Sequence, residues 1–286
     1  MGDETILGGH PFTAGELIDL FEEELQIAHR YVLYNSAEVE PYIEMHKIEL
    51  KSLDTRLSKP KNKSLLQKRH QETFSAWLQD KIKINDRGIS ETLKWLAYGP
   101  RSHAMSYLGY IINGLRFHTK DSEKSTQNSD VSIEAETICR SSVKDTNQIV
   151  GKISYYRIIK DIILLDYHTF RVPLFKCHWA NIPNGVRIDE DGFTLVNLYE
   201  GQSQFEKDPF ILASQAKQVF YSRENDTSSW YIVLKAPPRC CFDMEICHKS
   251  DYTAYSTLDR VVLKLPYDSN EYEQYARNDC DDIIIG

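Results

Sequence analysis

The feature that most constrains this chain is a change in the spacing of its apolar residues. Between residues 12 and 98 they recur every three or four positions, which places them on one face of a helix. A polar segment follows over 121–149, and beyond it the apolar residues occur in short runs separated by Asn-Gly and Asp-Gly pairs. The sequence therefore predicts an α+β protein, with a helical N-terminal region followed by a small β-rich domain.

The first helix is expected to begin at Thr13. Thr13-x-x-Glu16 has the spacing of a capping box, in which the hydroxyl and the carboxylate satisfy the first free amides of a helix. Phe12 and Leu17 are spaced for a hydrophobic staple, and the helical period places Leu17 and Phe21 on the inward face.

Three further helices are predicted before residue 99. The second starts after Asn35 with Pro41 in its early turns, and the third covers residues 65–82. The fourth starts near Ser90 and ends at Gly99-Pro100, because glycine adopts the left-handed conformation that ends a helix and proline prevents its continuation.

Strand-like runs dominate the second half of the chain. They cover 150–165, 170–179, 193–199, 218–222 and 230–235, and a last run ends at Pro266. Short strands at this density favour a small barrel or a strongly bent sheet. We therefore expect a helical region over 1–120, a polar linker over 121–149, a β-rich domain over 150–265 and an acidic tail over 266–286.

The charge is unevenly distributed. The formal charge of −8 comes entirely from the half after residue 120, whereas residues 47–69 contain eight basic residues and two acidic ones. An acidic protein is a poor non-specific binder of nucleic acid, but a local basic segment can still contact phosphates. The candidate nucleic-acid contacts are Lys59, Lys61, Lys63, Lys68 and Arg69. The alternative is a solvated loop between helices.

No residue pattern predicts catalysis or a cofactor. Cys241-x5-Cys247-His248 lacks the paired spacing of a zinc site, and we favour incidental thiols there. Cys177 and His178 are neighbours on a predicted strand and so face opposite sides of it. The acidic run 189–191 beside Gly192 is typical of a solvated turn. We therefore predict a non-enzyme with no metal site, no cofactor and no small-molecule substrate.

The expected cellular compartment is inferred from the lack of a secretory signal in the sequence. The chain shows no secretory signal, so its six cysteines are expected to be reduced, in the cytosol or the nucleus. No apolar run approaches the ~18 residues of a membrane span.

Several ordered strings resemble the C-terminal region of transposases from plant CACTA (En/Spm-type) transposons. In the first half the strings are AHRYVLYN at 28–35, EPYI at 40–43, LAYGP at 96–100, NGLRFHT at 113–119 and TQNS at 126–129. In the second half they are LFKCHW at 174–179, GFTLVN at 192–197, DPFILASQA at 208–216 and WYIVLK at 230–235. The second half is similar to a domain of unknown function found in these elements. The resemblance covers about residues 20–250.

The resemblance implies an origin and not a mechanism. In that family the RNase H-like catalytic domain lies upstream, and none of its catalytic residues has a counterpart in this chain. The resemblance implies a non-catalytic, nuclear accessory region that contacts protein, such as transposase subunits, or DNA. Two alternatives remain open, an inert remnant of a decayed element and a DNA-binding accessory that uses segment 47–69. Asp130 and His178 stand where the family usually has Gly and Asp, which suggests sequence drift.

Overall fold

The computed structural model describes residues 8–84, 88–124, 127–140, 149–179, 185–198, 209–223, 228–235 and 283–284. The chain divides into two compact units. Unit 1 comprises Glu16–Met105 and Leu164–Leu174 of the described chain, and unit 2 comprises the described parts of Leu7–Gly15, Ser106–Ile163 and Phe175–Gly286. The predicted acidic tail and the run that ends at Pro266 lie almost entirely outside the described residues.

Unit 1 contains the four predicted helices. They are α1 Glu22–Tyr34, α2 Glu40–Leu53, α3 Lys63–Ile84 and α4 Glu91–Tyr98. The end signals of α4 are confirmed: Ser90 Oγ accepts a hydrogen bond from Leu93 N at 3.0 Å, and Gly99 takes a φ of 97° at the end of the helix. Pro41 lies in the first turn of α2, where its missing N–H costs nothing.

The core of unit 1 is formed by α1, α3, α4 and the segment 164–174. Their buried apolar side chains include Ala28, Val32, Leu33, Leu66, Phe74, Leu78, Ile82, Leu93, Leu96, Ala97, Leu164, Leu165, Tyr167, Phe170, Val172 and Leu174. By contrast, α2 buries only His46 among its fourteen residues. A surface helix normally buries several apolar residues, and α2 buries fewer residues than the other three helices of this unit.

The predicted start of the first helix is wrong. Residues Gly15–Asp19 form strand β2, and α1 begins at Glu22 without a side-chain cap. Thr13 Oγ1 accepts hydrogen bonds from the backbone N–H groups of Leu108, at 3.2 Å, and Gly109, at 3.1 Å. The hydroxyl that would cap a helix is therefore used by a distant segment, and Leu17 and Phe21 are 64% and 82% exposed.

The region predicted as helical also contains strands at both of its ends. Strands β1 His10–Pro11, β4 Gly109–Ile112 and β5 Leu115–His118 form a three-stranded antiparallel sheet, and β2 pairs with β3 His103–Tyr107. Asn113 and Gly114 connect β4 to β5 with φ values of 52° and 71°. Positive φ at both turn residues matches the twist of a hairpin, which is why this dipeptide is favoured there.

The second half of the chain is rich in strands, as predicted, but its described sheet is open and does not close into a barrel. The larger strands are β6 Asp130–Arg140, β7 Ile149–Asp166, β8 Arg171–Trp179, β9 Val186–Ile188, β10 Thr194–Val196, β11 Phe210–Leu212, β12 Lys217–Arg223 and β13 Tyr231–Lys235, with a two-residue β14 Ile283–Ile284. Their order in the sheet is β11-β8-β7-β6-β12-β13-β10-β9. Among the described strands the two ends of this order do not pair, so the sheet is open.

Part of the predicted polar linker is a strand. Within 121–149, β6 pairs antiparallel with β7 from Asp130↔Ile158 to Cys139↔Ile149. Val131 and Ile133 alternate with polar positions and are buried. The mean composition of the segment conceals this two-residue period, and β7 supplies the pairing partner that a single strand needs to be stable. The linker prediction is therefore wrong for residues 130–140.

We expect Gly109→Ala to destabilise the protein. A Cβ built at Gly109 would lie 2.5 Å from Cζ of Phe12, a distance that real side chains do not tolerate. Overpacking of this kind costs about 1–3 kcal/mol in the free energy of unfolding, which urea denaturation measures. The same change in a Phe12→Ala background should cost much less, and an equal cost in both backgrounds would contradict the packing described here.

Candidate nucleic-acid interface

The basic residues predicted to contact phosphates lie where α2 passes into α3. Two short 3-10 turns, Thr55–Ser58 and Pro60–Asn62, connect the helices. Leu57 is 2% exposed and attaches the first turn to the core of unit 1. We call residues 59–63 the basic turn. It ends where the 22-residue helix α3 begins, at Lys63.

Asp54 holds the residues that precede and follow the basic turn. Its carboxylate accepts two hydrogen bonds from the Arg56 guanidinium, both at 2.9 Å, and one from Arg69 Nη1 at 3.2 Å. Hydrogen bonding to the Arg56 side chain lowers the pKa of Asp54 to about 2. Asp54 therefore stays ionised at neutral pH and neutralises much of the charge of these two arginines.

The backbone of the basic turn is held by short hydrogen bonds. Asn62 Nδ2 donates to the Arg56 carbonyl at 2.8 Å, and Asn62 N donates to the Lys59 carbonyl at 2.9 Å. Pro60 restricts φ at the start of the second turn. A turn fixed in this way presents its side chains without a further ordering cost to the backbone.

Three of the five predicted contacts are brought together on this turn. Lys59, Lys61 and Lys63 are exposed, and no described acidic residue forms an ion pair with any of them. Lys68 and Arg69 lie further along α3, where Lys68 Nζ is 3.9 Å from a Glu72 carboxylate oxygen and Arg69 is bonded to Asp54. The free positive charge is therefore concentrated at the start of α3, where the helix dipole also favours an anion.

Sequence reasoning missed a buried histidine pair between α2 and α3. His46 Nδ1 and His70 Nδ1 are 2.7 Å apart, and both side chains are almost fully buried. Thr73 Oγ1 donates to the Arg69 carbonyl at 2.7 Å and so accepts from His46 Nε2 at 3.3 Å. His46 then carries its proton on Nε2, and His70 Nδ1 is the donor between the two rings.

A second buried histidine site lies in α1. His29 Nδ1 is 2.9 Å from the Tyr167 hydroxyl, 138 residues later in the chain. Burial lowers the pKa of His29 to about 4 and, together with the nearby His46 and Lys47, lowers that of His70 to about 3. All three histidines are therefore neutral at physiological pH, and periodicity alone gives no signal that pairs them with these partners.

The described residues that the sequence analysis considered for catalysis, Cys177, His178 and 189–191, show no catalytic arrangement. Cys177 is buried, and burial raises the pKa of its thiol to about 12, so it is protonated and unreactive, while His178 is exposed. Asp189 Oδ1 accepts from the backbone N–H groups of Asp191 and Phe193, which confirms the turn predicted there. Among the described residues, no group of three or more potential ligands could hold a metal ion. Cys241, Cys247 and His248 lie outside the described residues.

The described helices include none that is both long and apolar enough to cross a membrane.

Residues 163–233 match a family model described as Domain of unknown function (DUF4216). The match covers less than a third of the 286-residue chain and includes β8 to β12. No curated protein matches the chain, and no solved structure matches it. The basic turn lies outside the matched residues, so the family model assigns it no role.

We expect the protein to lose stability as the pH falls below about 6.5. The unfolded chain takes up protons at histidines that the folded chain keeps neutral, so the stability present above the unfolded pKa is lost as the pH falls toward the folded values. At pH 5, His29 and His70 should each account for about 2 kcal/mol of the lower free energy of unfolding relative to pH 7.5.

Urea denaturation at the two pH values measures this loss. His29→Gln should remove its share of the pH dependence, because glutamine does not titrate. His10 is exposed, and His10→Gln is the matched control. Equal pH dependence in the parent and in His29→Gln would contradict the assigned environment of His29.

Proposed function

We propose that this chain is a non-catalytic accessory protein that contacts the phosphate backbone of duplex DNA through the basic turn. The observation that carries the proposal is the exposure of Lys59, Lys61 and Lys63 on a fixed turn, while the neighbouring arginines are bonded to Asp54. Lysine ammonium groups beside a helix N-terminus are suited to phosphate oxygens.

The proposed origin is a plant CACTA-type transposon, and the proposed compartment is the nucleus. The ordered strings distributed over residues 20–250 support this origin, and the DUF4216 match is compatible with it. Transposase subunits are the proposed protein partners. An accessory role fits a chain in which we find no catalytic motif.

The net charge of −8 sets the strength of the proposed interaction. The rest of the chain repels DNA, so affinity depends on the local field of the turn and is screened strongly by salt. Three phosphate contacts predict a decrease in affinity of about forty-fold between 50 and 200 mM salt.

Binding of labelled duplex DNA to the full chain, measured by fluorescence anisotropy at both salt concentrations, tests this interface. Lys59→Glu/Lys61→Glu should abolish measurable binding, because the turn then repels phosphate. Lys83→Glu/Lys124→Glu is the matched control, since both lysines are exposed and the net charge changes equally. Lys83 lies about 30 Å along α3 from Lys63 and should not be needed.

Two results would contradict the proposed interface. Binding that is insensitive to salt would exclude a phosphate contact of this kind. Equal loss of binding in the two double variants would show an effect of net charge and not of the turn. A folded chain that binds no DNA and no transposase subunit would favour the inert-remnant alternative.

We also expect the purified chain to leave DNA intact in the presence of Mg²⁺ or Mn²⁺. The described residues offer no cluster of carboxylates that could hold a catalytic metal. Incubation with supercoiled plasmid followed by electrophoresis measures this. Metal-dependent nicking that copurifies with the folded chain would overturn the non-catalytic assignment.

A further inference from the structure

The outward face of α2 carries three apolar residues and one serine. Pro41, Met45, Ile48 and Ser52 are all exposed, with Met45 at 43% and Ile48 at 65%. Their spacing of four, three and four residues places them in one stripe along the helix. We call these four residues the α2 stripe.

The opposite side of α2 faces the core of unit 1. His46 contacts α3 through its bond to His70, and its ring lies 4.7 Å from that of Trp77. The α2 stripe therefore cannot turn inward without breaking the buried histidine pair. A mostly apolar stripe in water favours association with another apolar surface.

Charged residues border the α2 stripe in a defined pattern. Glu44 and Lys51 are seven residues apart, so they lie on the same edge of the stripe two turns from each other. Glu44 Oε1 lies 2.7 Å from Lys47 Nζ, and 41% of the Glu44 side chain is exposed. The other edge carries Tyr42 and Glu49, and Glu49 Oε2 is bonded to Lys81 at 3.1 Å.

These edges distinguish two ways of packing the stripe against a second copy of itself. In an antiparallel pair like edges meet, so Glu44 of each copy faces Lys51 of the other copy, and Tyr42 faces Leu53. In a parallel pair unlike edges meet, which brings Glu44 near Glu49 and repels. The charge pattern is therefore self-complementary in the antiparallel orientation alone.

We propose that the chain self-associates through antiparallel contact of the α2 stripe with the same stripe of a second copy. Such an interface is isologous and closes as a two-fold dimer. Ile48 lies near its centre, and the two Glu44–Lys51 pairs lie at its rim. The interface is separate from the basic turn, so it stands or falls independently of DNA binding.

Sedimentation equilibrium of the full chain over a range of concentrations tests the dimer. The parent chain should show a monomer–dimer equilibrium, and Ile48→Glu should raise the dissociation constant at least tenfold, because it buries a charge at the centre. Ile84→Glu is the matched control, since Ile84 is 77% exposed at the end of α3, and it should leave the equilibrium unchanged.

Charge exchange tests the orientation. Glu44→Lys alone and Lys51→Glu alone should each weaken the homodimer by about threefold to tenfold, because like charges then meet at both rim contacts. The double exchange Glu44→Lys/Lys51→Glu should restore the parent dissociation constant within about twofold. Mixing the two single variants should also restore association, because an edge with two lysines on one copy then meets an edge with two glutamates on the other.

Three outcomes would overturn the proposal. The parent chain could remain monomeric at all accessible concentrations. A dimer could be unaffected by Ile48→Glu, or equally affected by Ile84→Glu. A dimer lost in the single charge variants, with no recovery in the double exchange or in the mixture, would exclude the antiparallel orientation. Circular dichroism of each variant confirms that the helices are intact in every comparison.

Discussion

The antiparallel pairing of β6 with β7 is the interaction on which the described β structure depends. β7 lies between β6 and β8 in the sheet, so both of its edges are paired. Tyr155 and Tyr156 point to opposite faces and are both buried, and the same holds for each residue from Ile162 to Leu165. A strand covered on both faces needs a continuous apolar run, and within β7 only residues 162–165 form such a run. Without β6, this apolar strand would have an unpaired edge that favours aggregation.

In unit 1, burial or exposure decides which polar side chains carry a charge. His29, His46 and His70 are held neutral in the core, and each is bonded to a distant side chain that restricts how its helix can pack. Asp54 acts at the surface in the opposite way, because it keeps its charge and binds two arginines. Segment 47–69 therefore has less unpaired positive charge than its composition indicates. Within it, the basic turn holds three exposed lysines together, and that local concentration is compatible with a phosphate contact on an acidic chain.

The first helix and the linker show where local patterns mislead. The capping-box spacing at Thr13 is present, but the hydroxyl accepts hydrogen bonds from the backbone N–H groups of Leu108 and Gly109, almost a hundred residues away. The polar segment before residue 149 has the composition of a linker, yet its alternation of apolar and polar residues at 130–135 is that of a strand. The Asn113-Gly114 hairpin carried a readable signal, since that dipeptide lies between short apolar runs. For Thr13 and for β6, a pairing partner outside the local segment decided the structure.

The sequence by itself determined the change from helices to strands along the chain, the proline at the start of α2, the end signals of α4 and the position of the basic segment. These depend on interactions among neighbouring residues, which a linear pattern contains. The tertiary structure alone decided which bases remain free, how the histidines pair and which face of α2 is exposed. It also decided that the sheet is open. These properties depend on contacts between residues distant in the chain, and side-chain packing fixes them only when the chain has folded.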